Sequence, residues 1–281
     1  MQAPFTDIVV PLDGSPTAER ALEPARRLAG QAAVPLLLVS RVLPGEAAAR
    51  RSYLARVVER LATEVDVGAL VVDRESIPDA IVGELEPGSL LCISSHGRGG
   101  VVRGVLGSVT EAVLRTIEHP ALVVGPHAGG PGVLRGRIVA CVDGSPESER
   151  AVAPAQRWAA AFDLPLWLVE VMDPHALLDR DDAGHVIELA RRTDDVRGWD
   201  VLHGRSAPRA LADLAASETD PVALLVMATH GRTGWSRLRL GSVTTATVHA
   251  AGVPVLVVPA GHPERPVRPA PGFVTREPVS G

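Results

Sequence analysis

Two stretches of this sequence concentrate groups that can hold an anion. Residues 94–111 run Ser-Ser-His-Gly-Arg-Gly-Gly-Val-Val-Arg-Gly-Val-Leu-Gly-Ser-Val-Thr-Glu, directly after the apolar run Leu90–Ile93. The spacing of Ser108 and Glu111 predicts a capping box, so the glycine-rich loop delivers the chain into a helix N-terminus. Unpaired backbone N–H groups and a positive dipole end favour phosphate at such a place. The stretch recurs at Leu225–Thr244. His96 and His230, Gly97 and Gly231, Gly107 and Gly241, and Ser108 and Ser242 are each 134 positions apart. A second pair of motifs, Asp13-Gly14-Ser15 and Asp143-Gly144-Ser145, lies 130 positions apart, each at the end of an apolar run. An aspartate there can accept hydrogen bonds from a ribose or a base.

Each feature has a plainer reading. Asp-Gly is a common turn pair, and the serines serve equally well as helix caps. The recurrence of both features at strand ends favours a ligand cleft, because ligands of parallel sheets sit beyond the carboxyl ends of the strands. His96 and His230 have no partners at metal-ligand spacing and are read as orienting the loops. Arg98, Arg103, Arg232 and Arg237 are either phosphate neutralisers or solvated surface groups. Trp235 lies within the second loop; Trp158, Trp167 and Trp199 are read as packing. A serine-hydrolase elbow at Ser95 lacks its first glycine, and the second copy has Thr229 at the nucleophile position.

All 28 basic residues are arginine, so P-loop, Schiff-base and nucleophilic lysine chemistry are excluded. Neither C-x-x-C nor H-E-x-x-H occurs, which removes the common zinc spacings. A net charge of −5 argues against nucleic acid or an anionic membrane as partner. There is no apolar run of the ~18 residues a membrane span needs. The start of the chain shows no export signal, so a cytoplasmic location is expected. Cys92 and Cys141 lie in apolar runs and are expected to be inert core thiols.

These motifs need elements to position them. Strands are expected at 7–12, 35–42, 65–73, 89–93 and 121–125, and helices follow Ser15, Glu46, Ser76 and Ser108. The pattern restarts at Ile138, with strands at 165–172, 201–204, 222–227 and 253–258. The helix around 177–192 is broken by Asp179-Arg-Asp-Asp182, and Pro24 and Pro154 suggest a shared helix kink. Alternating strands and helices with continuous apolar strands predict parallel sheets covered on both faces, hence a duplicated α/β domain. The divisions are a first domain at 1–126, a linker at 127–136, a second domain at 137–260, and a proline-rich tail at 261–281 expected to be disordered.

The spacing Gly97, nine residues, Gly107-Ser108 resembles the nucleotide-binding signature of the universal stress protein family, and Gly231, nine residues, Gly241-Ser242 repeats it. The Val-Pro-Leu-Asp-Gly-Ser opening and His-Pro-Ala-Leu-Val-Val closing of the first half resemble the family's first and last strands. The resemblance covers nearly all of residues 5–260 and implies a tandem member. It implies two doubly wound five-stranded parallel sheets of order 3-2-1-4-5, binding ATP, ADP or AMP, with magnesium as an accessory ion and at most slow hydrolysis. The protein is thus expected to be a regulator rather than an enzyme, paired as an internal pseudo-dimer or as a homodimer. A nucleotide-free interaction module with vestigial sites is the alternative. By position, Pro11, Leu12, Asp13, Val142, Asp143 and Val171 would meet the nucleoside. Gly97, Arg98, Gly107 and Ser108, with Gly231, Arg232, Gly241 and Ser242, would hold the phosphates, helped by Val109, Thr110, Val243 and Thr244. The signature's first glycine is replaced by Ser94 and Ala228, whose Cβ atoms crowd a nucleotide at close approach. In the first half Arg41 stands where the family commonly has an apolar residue against the base. The second half has Val171 there, so its pocket is expected to be the more typical.

Overall fold

The computed structural model describes residues 3–96, 106–128, 134–173, 184–229 and 241–259. The first half runs β1 (Asp7–Pro11), a 3-10 turn (Ala18–Ala21), α1 (Leu22–Ala32), β2 (Leu36–Arg41) and α2 (Ala47–Leu61). It continues with β3 (Val67–Val72), α3 (Ile77–Val82), β4 (Ser89–Ser94), α4 (Ser108–Thr116) and β5 (Ala121–Val124). The second half repeats the plan with β6 (Arg137–Val142), α5 (Pro146–Glu149), α6 (Val152–Phe162), β7 (Leu166–Met172) and α7 (Gly184–Arg192). It closes with β8 (Val196–His203), α8 (Ala207–Ala215), β9 (Val222–Ala228), α9 (Ser242–Ala250) and β10 (Val255–Val258).

Each half has the strand order 3-2-1-4-5, yet the two sheets are one. The spatial order is β3-β2-β1-β4-β5-β10-β9-β6-β7-β8, and all neighbours are parallel except the antiparallel seam of β5 with β10. Val123 faces Val255 and Leu122 faces Leu256 across that seam. The interior strands β1, β4, β5, β6, β9 and β10 are almost continuously buried, as parallel strands covered on both faces should be. Ala18, Ala21, Leu22, Ala25, Leu28 and Ala29 are buried together against one face. An aromatic cluster of Phe5, Trp158 and Phe162 joins the halves, with Phe5 and Trp158 centroids 5.4 Å apart.

Several expectations shift. Pro24 and Pro154 each occupy the third position of a new helix, α1 and α6, where a missing N–H leaves no bond unmade. A break before the helix therefore replaces the expected kink. β8 begins five residues earlier than its apolar stretch suggested, because residues 196–200 interleave polar side chains and Gly198 while pairing with β7. Trp199 lies on that strand and is exposed rather than packed. The break at 179–182 and residues 261–281 lie outside the described residues.

Candidate functional site

The two sequence motifs of the first half meet in one place. A cavity of about 430 Å³ opens at the carboxyl ends of β1, β2 and β4, and its walls include Pro11, Leu12, Asp13, Ser94, His96, Gly107, Ser108, Val109 and Thr110. The order β2-β1-β4 explains the meeting: α3 and α4 lie over one sheet face, and the turn after β1 stands between β2 and β4.

Asp13 is both a turn residue and a wall residue. Its Oδ1 accepts from the Ser15 N–H at 2.9 Å, and Gly14 takes the positive φ of 80° that this turn requires. Ser15 Oγ accepts from Ala18 N–H at 3.1 Å. In the second half Asp143 Oδ1 accepts from Ser145 N–H at 3.0 Å and from Ser145 Oγ–H at 2.6 Å, while Ser145 caps α5. Nearby, burial pushes the Tyr53 hydroxyl above its ordinary pKa. The hydrogen bond to Glu19 and the charges of Glu19 and Asp13 act in the same direction, so Tyr53 stays neutral and donates to Glu19 at 2.8 Å.

The helix start differs from the expected capping box. Gly107 is the N-cap and Ser108 the first helical residue, with no side chain capping α4. Gly241 and Ser242 stand in the same relation to α9. The first intrahelical bond runs from Glu111 N–H to Gly107 O, so the N–H groups of Ser108, Val109 and Thr110 are those that a helix leaves unpaired. By contrast, the side chains of Ser76 and Ser145 cap α3 and α5. Among the described residues no side chain caps α4 or α9.

Two bonds pin each helix start to its strand. Gly107 N–H donates to Ser95 O at 2.8 Å, and Thr110 Oγ donates to the Ser94 carbonyl at 2.9 Å. In the second half Gly241 N–H donates to Thr229 O at 2.6 Å, and Thr244 Oγ donates to the Ala228 carbonyl at 3.0 Å. Thr110 and Thr244 thus hold the cradle in place through buried hydroxyls. A Cβ on Gly241 would stand 2.8 Å from Thr229 O, so this backbone approach requires glycine. Val243 is exposed, and Val142 and Val171 are buried and half-buried at the ends of β6 and β7.

His96 is buried, with Nδ1 3.2 Å from Ser95 Oγ and its ring 4.9 Å from that of His249 on α9. Among the described residues there is no group of three His, Cys, Asp or Glu able to hold a metal. Gly97, Arg98, Gly231, Arg232, His230, Trp235 and the remaining loop arginines lie outside the described residues. Burial pushes the thiols of Cys92 and Cys141 up to about 12, as inert core cysteines require.

Sequence reasoning missed the far wall, made by Leu43, Arg50, Ile77, Ala80 and Ile81 together with Val39. The signal for part of it was an apolar residue directly after the Ser76 cap, since Ile77 is 39% exposed. Arg41 lies on this wall; its Nε donates to Arg74 O at 2.8 Å and its Nη2 to Glu75 O at 3.0 Å.

A parallel α/β half, present twice, with a helix start and an acidic turn on one cavity wall in the first copy, defines the architecture of the chain. The chain belongs to the Universal stress protein family, whose profile matches residues 4–125 and 135–259. Universal stress protein Rv1996 of Mycobacterium tuberculosis is 27% identical over 320 residues, covering 94% of this chain and 97% of the relative. Universal stress protein Rv2005c of the same species is 31% identical over 186 residues, with 60% of this chain and 61% of that relative's length covered. The crystal structure of a universal stress protein from Archaeoglobus fulgidus shares the fold at a TM-score of 0.69 and 15% identity, covering 92% of this chain and 99% of that one. Among the described residues no helix is long and apolar enough to cross a membrane.

Proposed function

We propose that the chain is a nucleotide-binding regulator of the stress response, located in the cytoplasm, with one purine-nucleotide cleft per half. ATP is the ligand that the family resemblance implies; ADP and AMP share its nucleoside and α-phosphate contacts. The observation that carries this reading is the single cavity whose wall holds both the Asp13 turn and the uncapped start of α4. Phosphates would lie against the N–H groups of Ser108, Val109 and Thr110, the ribose against Asp13, and the base beyond it on the β2 side. Gly241, Ser242, Val243 and Asp143 would act likewise in the second half. Magnesium would be carried by the phosphates.

The described walls hold one carboxylate, and it belongs to the β1 turn rather than the phosphate end. That arrangement suits a bound signal with slow turnover better than rapid hydrolysis. Calorimetry with ATP tests the reading on the wild type, Asp13→Ala and Asp143→Ala. Each variant is expected to lose one of two binding equivalents. Equal heats for all three proteins would reject both clefts, and a folded dimer giving no thermal shift with ATP would favour a nucleotide-free interaction module.

A further inference from the structure

The two clefts differ at one position in a way that bears on which base each takes. Position 41 is an arginine at the end of β2, and the equivalent end of β7 carries Val171. Given the nucleotide reading above, the strand order locates the ligand's parts. The uncapped start of α4 follows β4, Asp13 follows β1, and Arg41 lies on β2, on the far side of β1 from β4. A nucleotide with its phosphates on α4 and its ribose beside Asp13 therefore brings its base to Arg41.

The surroundings of Arg41 suit a flat purine. Val39, Leu43, Ile77 and Ala80 give apolar walls, and Leu43 and Ile77 are 41% and 39% exposed, an unusual degree for large apolar side chains that a base would cover. The guanidinium is held in one plane, because Nε and Nη2 donate to the carbonyls of Arg74 and Glu75. An arginine offers five N–H donors and no acceptor, so only acceptor atoms of a ligand can meet the remainder. Arg50 stands on the same wall, 3.5 Å from Glu46, and adds a second cation. Adenine presents a donor and an acceptor, N6–H and N7, on its outer edge; guanine presents two acceptors, O6 and N7. A guanidinium fork matches the second and opposes the N6–H of the first. We infer that the first cleft selects a base presenting two acceptors, guanine over adenine, with Arg41 as the specificity-determining residue. The second cleft, with Val171, lacks this discrimination.

This inference rests on the nucleotide reading, and the test separates the two. The full chain carrying Asp143→Ala and Gly241→Val, which disables the second cleft, is titrated by calorimetry with GTP, ITP and ATP. GTP and ITP are expected to bind at least about 5-fold more tightly than ATP, the lower end for one bidentate arginine–guanine pair. ITP has O6 and N7 without the 2-amino group, so its agreement with GTP assigns the preference to that edge. Adding Arg41→Val is expected to abolish the preference, weakening GTP and ITP relative to ATP by at least about 5-fold. Arg41→Gln, which keeps a hydrogen-bonding side chain without the charge, gives the same comparison if the valine variant fails to fold. ATP binding as tightly as GTP, ITP behaving like ATP, or a preference that survives both substitutions would overturn the assignment and leave the nucleotide cleft standing. Binding of none of the three nucleotides would overturn the cleft and the assignment together.

Discussion

Gly241→Ala is the substitution whose effect can be worked most directly from the structure. The backbone there has φ −54° and ψ 139°, which alanine adopts freely, so the change acts through space alone. The added Cβ would lie 2.8 Å from Thr229 O, well inside the ~3.5 Å at which such atoms rest in contact. Relief needs a shift of roughly half an ångström, and that shift stretches the Gly241 N–H bond to Thr229 O, now 2.6 Å. Overpacking of this kind costs about 1–3 kcal/mol, and alanine is also a poorer N-cap than glycine. Against this, the stiffer unfolded chain returns about 0.4–1 kcal/mol. The net expectation is a loss of about 1–2 kcal/mol, or about 2–8 °C in Tm for a chain of this length. Gly252→Ala is the control, because a Cβ there meets nothing within 4 Å. Urea unfolding should show Gly241→Ala less stable than Gly252→Ala, and calorimetry should show one ATP equivalent weakened. Equal stability of the two variants, with two wild-type ATP equivalents in both, would refute the reasoning about this cradle.

Three further outcomes are expected. Thr110→Val keeps the side-chain shape but removes the buried hydroxyl donor to Ser94 O; it should cost about 1–2 kcal/mol in urea unfolding and weaken nucleotide binding in the first half. Burial raises the pKa of Asp7 above its ordinary value, against the opposing hydrogen bonds from Ser89 and Thr6. A raised carboxyl contributes stability that is complete at low pH and is lost as pH rises through the folded pKa. Asp7→Asn should therefore resist urea better than the wild type at pH 7, with the gap closing toward pH 3, and a less stable variant at pH 7 would contradict this. Cys92 and Cys141, both buried with thiols pushed up to about 12, should react with a thiol reagent in the native state only after unfolding, so rapid native labelling would count against the core packing.

The repeat made most of the fold legible, because apolar runs such as Ile8–Val10 and Leu224–Met227 have the continuity of buried parallel strands. Local chemistry was less reliable at element ends. The Ser108–Glu111 spacing has the form of a capping box, but the tie of Gly107 N–H to Ser95 O starts the helix one residue early and leaves Ser108 inside it. That tie is a tertiary bond with no trace in local spacing. The far wall of the cavity was hidden for the same reason: Arg50 and Ile77 lie on separate helices that only the sheet brings beside Arg41. The seam of β5 with β10 was equally out of reach, since short valine- and leucine-rich strands read alike as the last strand of a separate sheet or as a junction.

That junction has a consequence for how the two halves can evolve. A dimer of identical chains must carry identical clefts, and its assembly fails on dilution. Here both partners of the antiparallel pair lie on one polypeptide, so the assembly holds at any concentration and always contains one half of each kind. One copy can then take an arginine at position 41 where the other keeps a valine at 171, so the two repeats are free to diverge within one molecule.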